Sequence, residues 1–129
     1  MPLYLVRHGQ TAWNELGRAQ GHTDIPLDER GRRQAQALGE AFRRLPLDRI
    51  LTSDLARAYQ TAEAVAHATG VSLEVRPELR ERGFGEWEGS PFADVGAWIL
   101  ARAQSDGIPF LECRPPGGEA FADVWTRLD

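Results

Sequence analysis

The pattern of apolar and polar positions changes period several times along the chain, and each change marks an element. Leu3-Tyr4-Leu5-Val6 is an unbroken apolar run, too short for a helix, and predicts a buried strand. The segment from Gly17 to Leu27 holds Gly21, Asp24 and Pro26 and reads as loop. Asp28 is placed to cap a helix from about Glu29 to Leu45, with Ala35, Leu38, Phe42 and Leu45 near the helical period and Pro46 as a stop. Arg49-Ile50-Leu51-Thr52 predicts a second strand. Ser53 then reads as the cap of a second helix, with Asp54 in its first turn, where the helix dipole favours an anion. Leu55, Ala58, Tyr59, Ala62, Val65, Ala66 and Thr69 make one face of that helix, and Gly70 is a good terminator. Val71 to Val75 predicts a third strand.

Beyond it, Gly83, Gly85 and Gly89 mark a compact loop and read as turn formers, since no nucleotide-binding spacing is present. A third helix is expected from Pro91 to about Ala103, with Phe92, Val95, Ile99 and Ala103 inward. Ser105 to Gly118 reads as irregular. A last helix is expected to start near Glu119, with Phe121, Val124, Trp125 and Leu128 on one face. Trp98 and Trp125 are expected in the core or at its edge. Strands alternating with helices predict an α/β fold with parallel strands. A helix with a strong apolar stripe normally returns the chain to the sheet, and three strands are few for this class. The expectation is therefore a single domain over residues 1–129 that stops short of its last strand and helix.

Composition narrows the function classes. Of 129 residues, 42% are hydrophobic and 26% charged, which suits a folded domain with its own core. A net charge of −4 argues against a dedicated nucleic-acid binder. All 15 basic residues are arginine, so an anion site here must use guanidinium forks, which suit bidentate contact with phosphate. Cys113 is alone, which excludes an intrachain disulfide and suits a reducing compartment. The start of the chain has no signal-peptide pattern and no run is long enough to span a bilayer, so a cytoplasmic protein without a membrane partner is expected.

The candidate chemistry gathers where the predicted strands end. Arg7-His8-Gly9 follows the first, Ser53-Asp54-Leu55-Ala56-Arg57 the second, and Glu78-Leu79-Arg80-Glu81 the third. Ligands in open α/β sheets bind at the carboxyl ends of strands. An imidazole, two arginines and a carboxylate can therefore meet without being close in sequence. An imidazole held at a strand end can be a nucleophile, and an adjacent arginine can grip the anion it attacks. Taken singly, His8 also suits a satisfied strand-end histidine, Arg57 an ion pair with Asp54, and Glu81 a solvated charged turn. His22 reads as a loop residue and His67 as surface.

Taken together, the motifs resemble the histidine phosphatase superfamily, the phosphoglycerate mutase-like proteins. They are Arg7-His8-Gly9-Gln10-Thr11 with Trp13-Asn14, Gly21-His22-Thr23-Asp24 with Pro26-Leu27, and Thr52-Ser53-Asp54-Leu55-Ala56-Arg57-Ala58 with Thr61-Ala62. Leu79-Arg80-Glu81 with Phe84-Gly85, Trp87-Glu88-Gly89 and Pro116-Gly117-Gly118-Glu119 follow in the family's order, so the resemblance covers almost the whole chain. It implies a three-layer sandwich with a mostly parallel sheet. It also implies phosphomonoester hydrolysis through a phosphohistidine on His8. Arg7 and Arg57 would hold the phosphoryl oxygens, and Asn14 would add a neutral donor. Gln20 and Gly21 would contact substrate, and Glu81 would serve as acid and then base. No metal or cofactor is implied. The expected partner is a phosphorylated small molecule, with homodimerisation left open.

Two further readings stand beside the phosphatase. The short stretch between Arg57 and Glu81, and Pro116-Gly117-Gly118-Glu119 after the third helix, resemble the small phosphatases. The glycolytic mutases are also similar but carry longer insertions and an arginine pair in the lid, so a cofactor-dependent mutase is the alternative. Family members also carry a second histidine, in a His-Gly pair after another strand, and neither His22 nor His67 fits it. A noncatalytic phospholigand-binding module is therefore the third reading. The Gly83–Ile108 region would set specificity.

Overall fold

The structure, a computed structural model, describes residues 2–129. In chain order the elements are α1 (Ala12–Glu15), α2 (Glu29–Phe42), β1 (Ile50–Thr52), α3 (Ala56–Thr69), β2 (Leu73–Val75), α4 (Phe92–Asp106) and α5 (Phe121–Leu128). Single 3₁₀ turns occur at Pro77–Leu79, Gly85–Trp87 and Phe110–Glu112. The chain forms two compact units. One runs through Thr11 and resumes over Pro26–Pro77; the other comprises Ala12–Ile25 and Glu78–Asp129.

In the first unit, β1 and β2 pair in parallel, with Ile50 opposite Leu73, Leu51 opposite Glu74 and Thr52 opposite Val75. The crossover between them is α3, as the alternating pattern predicts. The predicted cap of α2 is present: the Asp28 carboxylate accepts the Gly31 N–H at 2.7 Å. The helix leaves its regular path at Arg43, ahead of Leu45, and Ala35 and Phe42 are buried as expected. It packs along α3. Gly39 permits that approach, because a Cβ there would lie 2.7 Å from the Ala64 carbonyl oxygen. Gly70 ends α3 in the left-handed region, at φ 76°, which a residue with a side chain rarely adopts.

Two expectations fail in this unit. Leu3–Val6 forms no strand and is not buried: Leu3 is 83% and Leu5 89% exposed. An apolar run is buried only where a second surface covers it. Here Tyr4 meets the Phe42 ring edge-on at 5.2 Å, while the remaining three side chains face outward into solvent-exposed positions. The sheet accordingly has two strands among the described residues, not three. Ser53 is not the cap of α3, which begins at Ala56 with Leu55 in the capping position and no side-chain cap bond. Ser53 is instead buried, with its carbonyl accepting the Thr52 hydroxyl at 3.0 Å.

The second unit has its own core: Ala19, Phe84, Val95, Ile99, Ala103 and Cys113, with Trp87 packed against it. Three of the four predicted inward positions of α4 are in that core; Phe92, at the helix start, is exposed. Trp98 is half exposed and stacks edge-on with Trp87 at 5.5 Å. Trp125 is a clear correction, at 74% exposed. The stripe it belongs to on α5 has the helical spacing of a buried face, but Phe121 and Leu128 are exposed as well. No helix among the described residues is long and apolar enough to cross a membrane.

Candidate active site

His8 and Arg57 lie in the first unit, and both are placed by hydrogen bonds that run through the backbone. Gly9 N–H donates to Thr61 Oγ1 at 3.0 Å, and the Thr61 hydroxyl donates to the Arg57 carbonyl at 2.8 Å. The turn after His8 is thus tied to the helix turn that carries Arg57. Its other side rests on the start of α2. Gln10 N–H donates to Gln34 Oε1 at 2.9 Å, the Gln10 carbonyl accepts Asp28 N–H at 2.9 Å, and the Gln10 amide donates to Asp28 Oδ2 at 3.0 Å. Gly9 and Gly31 meet so closely that a Cβ on Gly9 would lie 2.5 Å from the Gly31 carbonyl oxygen. Side chains are excluded from that contact, which is why the glycine after His8 is needed.

The His8 ring is half buried, and its Nδ1 lies 2.7 Å from the Gly9 carbonyl oxygen. A carbonyl only accepts, so the neutral imidazole places its proton on Nδ1 and its lone pair on Nε2. That is the tautomer a nitrogen nucleophile requires. Arg57 is 2% exposed, near the start of α3. Every buried side-chain nitrogen and oxygen among the described residues has a hydrogen-bond partner, so this guanidinium is held rather than stranded. Arg7 is exposed.

Asn14, Gln20, Gly21 and Glu81 belong to the second unit. Asn14 is half buried on α1, whereas Gln20 and Gly21 are buried in the loop that follows. Gly21 takes φ 55°, and a Cβ there would run into the Glu88 carboxylate. Glu88 organises this loop: it accepts His22 N–H at 3.0 Å, Phe84 N–H at 2.9 Å and the Thr23 hydroxyl at 2.5 Å. Burial pushes its carboxyl up, but those three donors outweigh it and leave the pKa below the usual value.

Glu81 is exposed, on a turn held largely by side chains distant in sequence. Arg127 in the last turn of α5 donates to the carbonyls of Glu78, Arg80 (2.6 Å) and Glu81 (3.1 Å). It also donates to the Glu119 carboxylate at 2.9 and 3.3 Å. Glu119 accepts Gly83 N–H at 2.8 Å and lies 3.3 Å from His22 Nε2, which is itself 2.9 Å from the Glu81 carbonyl oxygen. The buried Arg82 donates to the carbonyls of Glu119 (2.6 Å) and Cys113 (2.9 Å), and its guanidinium lies 4.5 Å from the Phe121 ring centre. Burial raises the Glu119 carboxyl, yet Arg127 and the Gly83 N–H bring it net below its ordinary value. His22 is therefore more than a loop residue, and His67 is exposed as expected.

Sequence reasoning included Thr61, Glu88 and Glu119 in its motifs without giving them a task. It missed Gly31 and Arg127 altogether. Gly31 stands out only as a glycine inside a helix, and Arg127 only as a cation in a last helical turn.

The profile of the histidine phosphatase superfamily (branch 1) matches residues 3–129. The chain belongs to this superfamily. It is 37% identical over 132 residues to the probable phosphoglycerate mutase GpmB of Erwinia tasmaniensis, covering 99% of this chain and 60% of that protein. The probable phosphoglycerate mutase GpmB of Klebsiella pneumoniae is 47% identical over 132 residues with the same coverage. A solved mycobacterial glucosyl-3-phosphoglycerate phosphatase superposes with a TM-score of 0.77 at 37% identity, over 94% of this chain and 57% of that one. The chain thus spans about three fifths of the length of the curated relatives it matches. The α/β fold with a small parallel sheet agrees with these relatives.

Proposed function

We propose that this protein hydrolyses phosphomonoesters through a phosphohistidine on His8. The observation that carries the reading is the 2.7 Å contact between His8 Nδ1 and the Gly9 carbonyl, which sets the nucleophilic tautomer on a turn tied through Thr61 to Arg57. His8 Nε2 attacks phosphorus and the phosphorus–ester oxygen bond breaks. Arg7 and Arg57 hold the phosphoryl oxygens and oppose the charge that builds on them, with Asn14 as a neutral donor. Glu81 gives its proton to the departing alkoxide. A water then attacks the phosphohistidine, its proton goes to the Glu81 carboxylate, and His8 is released with inorganic phosphate. Such a positioned acid and base contributes on the order of 10²–10⁴-fold. Gln20 and Gly21 contact the organic part of the ester, a phosphorylated small molecule. A reducing compartment suits the lone, buried Cys113.

The second reading is a mutase, favoured by the curated relatives, which are probable phosphoglycerate mutases. It differs in the fate of the phosphoryl group, which returns to a substrate hydroxyl instead of water. The natural gene product, supplied with glycerol phosphate and with 3-phosphoglycerate, decides between them. Phosphate release from both supports the hydrolase. Interconversion of 2- and 3-phosphoglycerate without phosphate release overturns it, and binding of phosphate with neither reaction points to the phospholigand-binding module.

A further inference from the structure

The turn that carries Glu81 is gripped by one guanidinium. Arg127 donates to the carbonyls of Glu78, Arg80 and Glu81, three of the four residues at positions 78–81. A planar fork with five N–H donors can serve three carbonyls and a carboxylate together; an ammonium point charge cannot reproduce that plane. The fork is itself aimed. Glu119 accepts from two of its nitrogens, and also holds Gly83 N–H just beyond Glu81. His22 Nε2 lies within reach of both the Glu81 carbonyl and the Glu119 carboxylate. The Glu81 backbone is thus held from two sides, by groups about 46 and 59 residues away in sequence.

We propose that Arg127, braced by Glu119 and His22, is a positioning residue: it fixes the 78–81 backbone and thereby the direction in which the Glu81 carboxyl delivers its proton. The proposal rests on the reading of Glu81 as the proton donor. Arg127 itself touches no substrate; it acts through Glu81. Loosening the grip slows transfer to His8 only where the leaving oxygen needs a proton; the later attack of water on the phosphohistidine, where Glu81 acts as base, slows alike for every ester. Loosening leaves the attack by His8, in the other unit, with its own supports intact.

The test uses the natural gene product and two esters. Glycerol phosphate has a poor leaving group, and 2,4-dinitrophenyl phosphate has one that needs no proton. Arg127→Met is expected to lower kcat/KM, which reports transfer to His8 and not the shared hydrolysis step, on glycerol phosphate by about tenfold or more and on the dinitrophenyl ester by less than about threefold, a fraction of what a positioned acid supplies. Placed on Glu81→Gln, it is expected to add less than about twofold, because residues acting as one unit are not additive. Arg127→Lys restores only part of the loss, and binding of inorganic phosphate by Arg127→Met stays within about twofold. His22→Leu removes one contact to the same carbonyl and is expected to show the same ester dependence on a smaller scale; it carries the decision if Arg127→Met does not fold. Equal losses of kcat/KM on the two esters, or a loss that multiplies with Glu81→Gln, overturn the proposal. A Glu81→Gln enzyme as fast as wild type on glycerol phosphate removes the proton-donor reading itself, and the proposal with it, before any Arg127 variant is made.

Discussion

The turn that carries His8 and the turn that carries Glu81 are held by opposite means. The first is fastened mainly by neutral groups and by close backbone approach, Gly9 N–H on Thr61, Gln10 on Gln34 and Gly9 against Gly31, with one carboxylate contact, from the Gln10 amide to Asp28. The second hangs largely on charged side chains, with Arg127, Glu119 and His22 converging on residues 78–83 and Arg82 reaching out to the Glu119 carbonyl. The neutral contacts of the His8 turn do not change with protonation. Charge-assisted bonds are individually stronger, and those to the Glu119 carboxylate weaken when it is protonated, whereas Arg127 keeps its bonds to the carbonyls of the turn. One turn is therefore rigid by packing and the other by electrostatics.

The largest effect that would test this contrast comes from His8→Ala. It is expected to abolish trapping of a phosphoenzyme from labelled ester and to lower turnover by at least about 10³-fold, as loss of a covalent nucleophile does. Wild-type rates in that variant would sink the nucleophile assignment. Glu81→Gln is expected to lower kcat/KM for glycerol phosphate by on the order of 10²-fold while sparing that of esters of acidic phenols, which a leaving-group series would show.

Smaller effects probe the supports. Thr61→Val keeps the shape of the side chain but leaves the buried Gly9 N–H without its acceptor, at a cost of about 1–3 kcal/mol in denaturant unfolding. Gly31→Ala forces a Cβ against the Gln10 backbone and is expected to cost about 1–3 kcal/mol, as overpacking does. Unchanged stability in both variants would mean that the His8 turn is not held as described.

Acid separates the two turns most gently. Glu88 and Glu119 have depressed carboxyls in the second unit, and Arg114 with the Ala120 N–H brings Asp123 down to about 2. In the first unit, Asp28 is lowered at its helix cap and Glu74 falls from 4.5 to about 2 beside Arg49 and Arg76. A group whose pKa is lower in the folded state binds fewer protons there than when unfolded, so its stabilisation is present above the unfolded value and is lost as pH falls. Stability is expected to decline from about pH 4.5 toward pH 2. Amide exchange is expected to quicken at residues 81–89 before it does in α3, with the Asp28-capped start of α2 loosening in the same range. Simultaneous loosening of residues 81–89 and α3 would contradict the contrast.

How much of this was legible depended on how local the cause was. The Asp28 cap, the Gly70 stop, the parallel β1–β2 pair and the buried positions 95, 99 and 103 each follow from a few neighbouring residues. Leu3–Val6 and the α5 stripe had the right patterns for burial, yet burial needs a partner surface that a pattern does not contain. Ser53 has the chemistry of a cap, but α3 starts three residues later.

By itself, the sequence determined the superfamily, the longer helices and the parallel pair of strands, because motifs and periodicities are short-range properties of the chain. Only the tertiary structure decided which ring nitrogen of His8 faces the Gly9 carbonyl, that Thr61 links its turn to Arg57, and that Arg127 grips the Glu81 turn. The last two pair residues about 50 positions apart. The first is a choice between two ring nitrogens, made by the direction of a single carbonyl. No local pattern records either.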